Sequence, residues 1–542
     1  MNRHDWLNED RCRCPGGFAS STLRLPGERS TQRPLMSSVS NAQTTSSRNT
    51  PLLLTASFGC AMTVLDTNVV GIVLPTIARD LNASFADIEW VISAYVLCFA
   101  SLLLPAGSIA DRFGRKRVFI AGIALFALAS LACGMAPTAR ALYVARALQG
   151  VGAAFQLAPA LAIIGHAFHD ESERARAWAI WGGIMGLTMV VSPLIGGVIS
   201  ASLGWRWAFN INVPICAALA FAVLKIVDES RDPTPRTVDL PGIGLFAFAM
   251  FGLTWALILG PDRGWTSAAV LLRALAGVGL FALFAAVERR RAHPMLDLTL
   301  FRAWPFVGAI VAMFAYAACA QVMASLLPLF LQNARGESAL DAGVGMLPFA
   351  LAMLLLPMIG RRLGQHLASY QILTLGLVTV CIGSAVMSVA ARSGGFTVLL
   401  VGMAVLGSGG GLLNGETQKA IMGTVPRDRA GMASGISTTA RFSGILLGFS
   451  GLGAVLAVSV HDAVRRNLAN AHVPIAPGFI DRIVAGDFER ATQLYPQSVV
   501  QSVTQLARAG YGAGFGDAFV TASMVALTAA VIVFCSMRRG AR

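Results

Sequence analysis

The stretch GSIADRFGRKR, residues 107–117, decides the fold. It is a knot of charge set between two apolar runs, 88–110 and 117–136. A helix crossing a bilayer needs about twenty apolar residues, so each run is long enough to span and the stretch between them is a tight basic turn. Gly107 and Gly114 permit close helix approach and a sharp reversal. Asp111 is placed to accept backbone N–H bonds at a helix start, and Arg112 and Arg115 to bond carboxylates or helix C-termini.

The same alternation of apolar run and short loop predicts fourteen spans, the first near 52–78 and the last near 516–537. Of the 542 residues 55% are hydrophobic and only 13% charged, where soluble domains carry about 25% charged residues. Much of the surface must therefore face membrane lipid. The net charge of +14 is no footprint of nucleic acid, because the arginines sit in short loops: DRFGRKR (111–117), ESERAR (171–176), ERRRAHP (288–294), RRLGQH (361–366) and VPRDR (425–429). Those loops all fall on one side, which the positive-inside rule makes cytoplasmic, with both termini there too. The expected division is a disordered tail over 1–50, a six-helix bundle over 51–228, two intervening spans over 229–300, and a second six-helix bundle over 301–542. Within the last lies a long outer loop, about 460–515, with one or two short surface helices. No signal peptide is visible, and Met36 offers a second start. The basic turn after span two has a weaker counterpart, GRRLG, after span ten, the internal symmetry of a transporter built from repeated halves.

The order of motifs resembles a known family. GSIADRFGRKR is similar to the signature loop of the major facilitator superfamily. LDTNVVGIVLP (65–75), ARALQGVGAA (145–154), WRWAFNINVP (205–214), Trp90 with Tyr95, and RFSGILLG (441–448) resemble motifs of its fourteen-helix drug:proton antiporter branch. The resemblance implies an all-α integral membrane protein with the major facilitator fold, two six-helix bundles plus two extra helices. It implies a latch at Gly107–Arg117, a coupling proton carried at Asp66 and a proton relay at Arg146. Span five, WGGIMGLTMVVSPLIGGVIS (181–200), resembles the family's antiporter helix through Pro193, Gly196 and Gly197, but Ser192 stands where glycine usually precedes the proline.

Independently of the family, Asp66 lies about 21 Å along its helix from the inner face at 1.5 Å per residue. A carboxylate at such depth is costly and usually functional. Arg146 comes out at the same depth, about 9 Å from the outer face, with Gln149 one turn away on its own face. The two charges are therefore expected as partners. Gln149, together with the second half's polar set Asn414, Glu416 and Arg441, is expected to line a cavity. Glu416 has two candidate partners, Arg441 across helices and Lys419 at i+3.

Seven of the nine cysteines lie in apolar runs, and Cys12 and Cys14 alone make no zinc site. His166, His169, His293 and His366 lack ligand spacing, and no nucleotide loop, HExxH or nucleophile elbow occurs. An enzyme, a metal and a cofactor are accordingly not expected. The expected function is proton-coupled export of hydrophobic or cationic drugs across a bacterial inner membrane, with small molecules and protons as partners. A dedicated exporter of one metabolite, antibiotic or lipid stays open, as does a periplasmic adaptor protein. A non-transporting receptor or scaffold has no reason to bury Asp66 and Arg146.

Overall fold

A computed structural model describes residues 38–168, 170–231, 239–291, 298–425 and 430–540. Cys12, Cys14, Met36, His169, His293 and most of the loop 425–429 lie outside them. The chain divides into two units, Met1–Ser47 and Arg48–Arg542. In the first, residues 38–47 are helical, where the composition predicts disordered tail. A polar composition shows that a segment has no core to bury; it does not fix the local backbone.

In the second unit fourteen helices are long and apolar enough to cross a membrane. They are α1 (Asn49–Leu81), α2 (Phe85–Phe113), α3 (Arg115–Gly134), α4 (Ala139–Ala167), α5 (Glu171–Ser202), α6 (Trp207–Ile226) and α7 (Leu240–Arg263). The others are α8 (Ala268–Glu288), α9 (Trp304–Ala334), α10 (Ala339–Leu363), α11 (Ser369–Ser393), α12 (Phe396–Gly423), α13 (Gly435–Asn470) and α14 (Gln497–Arg538). Helix is the form available because no water in a bilayer core satisfies open backbone N–H and C=O groups. Their starts carry polar caps: Ser84 accepts from the Asp87 amide while Asp87 accepts from the Ser84 amide, and Thr138 and Ser267 cap α4 and α8.

Packing repeats between the halves. In the first, α4 packs on α2 and α3, and α3 packs on α6. In the second, α12 packs on α10 and α11, and α11 packs on α14, the same pattern eight helices later. The halves meet where α2 touches α13 and α5 touches α10, one contact made twice under that repeat. The extra pair α7 and α8 pack on each other, and α7 leans on α2 and α13. Trp90 of α2 meets Phe251 of α7 at 5.7 Å.

The segment between the last two helices is shorter than hydropathy predicts. It runs from 471 to 496 with two short helices, Phe479–Val484 and Phe488–Thr492. Both flanking helices continue beyond their apolar stretches, burying Val464, Leu468, Val503, Ala507 and Tyr511. A hydropathy window sees the lipid-facing length of a helix, not the length held by its neighbours.

Candidate functional site

Five helices of the first half converge on Asp66. Its Oδ2 accepts from Arg146 Nη1 at 2.6 Å. Its Oδ1 accepts from Gln149 Nε2 at 2.8 Å and from Asn212 Nδ2 at 2.9 Å. Arg146 Nη1 also donates to Gln149 Oε1 at 2.6 Å, and Arg146 Nε donates to the Val91 carbonyl at 3.1 Å. Gln149 Nε2 donates in turn to Ser130 Oγ at 2.8 Å. The guanidinium carbon lies 4.1 Å from the centre of the Tyr95 ring. The side chains of Arg146 and Asp66 are 1% and 0% exposed, so water does not reach the carboxylate in this conformation. Two ions taken out of water are tolerated only when attraction and hydrogen bonds offset desolvation, and here both carboxylate oxygens are bonded.

The motif residues Asp66, Arg146 and Gln149 are thus brought together, and Gln149 sits inside the charge network rather than on an open cavity wall. Tyr95 belongs to the motif set as well, whereas Asn212 and Ser130 are not singled out by the sequence. Asn212 lies within WRWAFNINVP, where an amide in an apolar span was the available signal. Ser130 gives no signal, because one serine in a membrane helix is ordinary.

At the basic turn, Gly114 ends α2 with φ +113, backbone that side chains rarely adopt. Arg115 pairs with Asp111 through Nε and Nη2, both 2.8 Å. The helix-start role expected of Asp111 falls instead to Glu229, beyond α6. Glu229 accepts from the Lys116 amide at 3.1 Å and stands 3.6 Å from Arg117. Asp111 ends the preceding helix, so its carboxylate reaches the i+4 arginine rather than the amides of α3. Arg112 lies over Phe113 at 5.6 Å.

Pro193 and Gly197 lie at the seam between the halves, while Gly196 packs within the first half. A Cβ on Gly197 would stand 2.8 Å from the Ala339 carbonyl of α10, and one on Gly343 2.6 Å from the Pro193 carbonyl. Gly196 faces Ile72 of α1. Ser192 turns its hydroxyl back onto the Thr188 carbonyl at 2.5 Å. Gln332 Nε2 of α9 donates to the Ile72 carbonyl at 2.9 Å. Toward the basic-turn end the seam parts. A Cβ on Gly186 would meet Leu354, but one turn back on the same face Gly182 meets nothing within 4 Å. The halves meet closely at the end bearing the 471–496 segment, and the α5–α10 seam opens toward the end bearing Gly107–Arg117.

In the second half Glu416 takes its local partner. Lys419 Nζ lies 3.1 Å from Glu416 Oε1, and Ser369 Oγ donates to that oxygen at 2.6 Å. Arg441 does not reach Glu416; its Nε donates to Gln321 Oε1 of α9 at 3.1 Å. A lysine one turn away on the same helix needs no help from helix packing, whereas α9 holds Arg441 apart. Asn414 is half-buried on α12. One further acid went unnoticed in sequence: Glu89 of α2 is 1% exposed and its Oε1 has no hydrogen-bond partner among the described residues.

Residues 56–449 match the model of the Major Facilitator Superfamily. The chain belongs to the major facilitator superfamily. Its relatives include the multidrug resistance protein Stp of Mycobacterium tuberculosis, 36% identical over 77% of this chain and 78% of that one. The tetracenomycin C resistance and export protein of Streptomyces glaucescens is 31% identical over 89% and 90%. The multidrug efflux pump LfrA of Mycolicibacterium smegmatis is 30% identical over 88% and 94%. The facilitator fold is also that of a bacterial homologue of the human lysosomal transporter Spinster in an inward-facing, occupied conformation, with TM-score 0.62 and 15% identity over 91% of this chain and 97% of that one.

Proposed function

We propose that this facilitator exports hydrophobic drugs and toxic compounds across a bacterial inner membrane in exchange for protons, with both termini in the cytoplasm. The observation that carries the reading is the occluded Asp66–Arg146 pair, in a chain whose relatives are named multidrug resistance proteins and efflux pumps. A proton reaching Asp66 Oδ2 removes the negative charge that Arg146 Nη1 meets at 2.6 Å. The guanidinium keeps the Gln149 and Val91 oxygens but loses its counter-ion, and the bundle it holds is biased toward the opposite opening. One proton moving inward through 100 mV supplies about 2.3 kcal/mol, before any pH difference is added. Closure at the Gly197–Gly343 seam, with the seam opening toward the other end, fits the cytoplasm-facing state. The Asp111–Arg115 pair and Glu229 then serve as a latch on the cytoplasmic side.

A dedicated exporter of one antibiotic is the second reading, favoured by the relative named for tetracenomycin C. The test of the proton reading is Asp66→Asn in energised vesicles. Efflux driven by the proton gradient is expected to vanish while substrate counterflow, which needs no net proton movement, persists. Wild-type gradient-driven efflux from the Asn variant would refute it.

A further inference from the structure

Helix α9 is buried on nearly every side. Its interior half-exposed positions include Phe314, Gln321, Ser325 and Gln332, spaced seven, four and seven residues apart, which is one helical face. That face looks at the other half: Gln332 bonds the Ile72 carbonyl, and a Cβ on Gly71 would come within 3.4 Å of the Ser325 carbonyl. Gln321 is one turn further toward the end where the seam opens and so faces the cleft. Arg441 of α13 joins it there, half-buried, with Nε bonded to Gln321 Oε1. Among the described residues no carboxylate lies within ion-pair distance of Arg441, and neither of its terminal nitrogens has a hydrogen-bond partner. Gln321 closes a wide, π-helical turn that begins at Tyr316, a local distortion common at functional sites. The fully buried Tyr316 hydroxyl has no hydrogen-bond partner among the described residues, and the Arg441 guanidinium carbon lies 5.8 Å from the centre of its ring.

Of the buried carboxylates, Asp66 is engaged by Arg146 and Glu416 by Lys419, while Glu89 is enclosed between α2 and Gly453 of α13, away from Arg441 and Gln321. Resting on the efflux reading above, we propose that Arg441, held by Gln321, is a substrate subsite for an anionic oxygen. The preferred cargo is then a hydrophobic aromatic body bearing a carboxylate, phenolate or enolate. A guanidinium offers such a group two parallel N–H donors, and a site built for a charged acceptor discriminates against an analogue lacking it.

Binding to purified protein in detergent, without any gradient, tests this apart from proton coupling. The probes are nalidixate, its ethyl ester and ethidium. Wild-type protein is expected to bind nalidixate about tenfold or more tightly than the ester, the scale of one hydrogen bond to a charged group. Arg441→Gln should erase that preference while leaving ester and ethidium affinities unchanged, and Arg441→Lys should restore part of it. Absence of the preference in wild-type protein overturns the assignment whether or not the variants fold, as does its survival in Arg441→Gln. Either result leaves gradient-driven efflux, and its dependence on Asp66, standing.

Discussion

Removing one member of the Asp66–Arg146 pair strands the other, and the expected loss follows from the contacts. In Asp66→Asn the new amide keeps one acceptor oxygen where Asp66 had two. If that oxygen faces Arg146, the amide NH2 meets the NH2 groups of Gln149 and Asn212; if it faces them, NH2 meets the guanidinium. Either way a buried cation loses its counter-ion, which costs about 3–5 kcal/mol. Arg146→Met strands the carboxylate at a similar cost, still bonded by two amides. Removing both charges leaves no ion to desolvate, so the double variant is expected to be no less stable than the poorer single variant. The interaction energy from the double-mutant cycle is then about 3 kcal/mol or more, far beyond the roughly 0.5 kcal/mol within which independent sites add. The assay is reversible unfolding in mixed micelles followed by far-ultraviolet circular dichroism. Additive single losses would show that the two charges do not stabilise each other and would remove the basis for a proton-released Arg146.

Other outcomes follow from single contacts. Gly114→Ala forces a side chain onto φ +113 and brings its Cβ within 2.6 Å of Glu229 Oε1; a loss of about 1–2 kcal/mol and slowed efflux are expected, and unchanged thermal unfolding and transport would refute the latch geometry. Gly197→Val wedges the seam against Ala339, so a cysteine replacing Thr76 in the cavity of about 560 Å³ beyond it should react faster with a membrane-impermeant maleimide; an unchanged rate would mean the seam does not hold that end closed. Glu89→Met replaces a buried carboxyl whose Oε1 lacks a partner among the described residues by an apolar chain of similar length, which should leave the melting temperature unchanged or higher, and a marked fall would show that Glu89 has a partner. Truncation of residues 1–35 should leave transport intact, since that stretch has no apolar periodicity; a protein that inserts but does not transport would contradict this.

Hydropathy and loop charge determined the fourteen crossings and their pairing into repeated halves, because a bilayer leaves the backbone one choice and each crossing is local in sequence. Depth along two helices was enough to expect Asp66 opposite Arg146, since rise per residue is fixed. What lies around the helix axis is not local. Asn212, Ser130 and the Tyr95 ring reach the pair only through the way α2, α3, α4 and α6 are rotated about one another. The same rotation gave Glu416 to Lys419 and left Arg441 to Gln321, a choice for which the sequence offered two partners and no means to decide. Glu229 supports the basic turn from 113 residues away, a contact that exists only once α6 has returned beside α3. Membrane spans follow from composition; the partners of a buried charge follow from packing, which alone sets the distances on which hydrogen bonds and ion pairs depend.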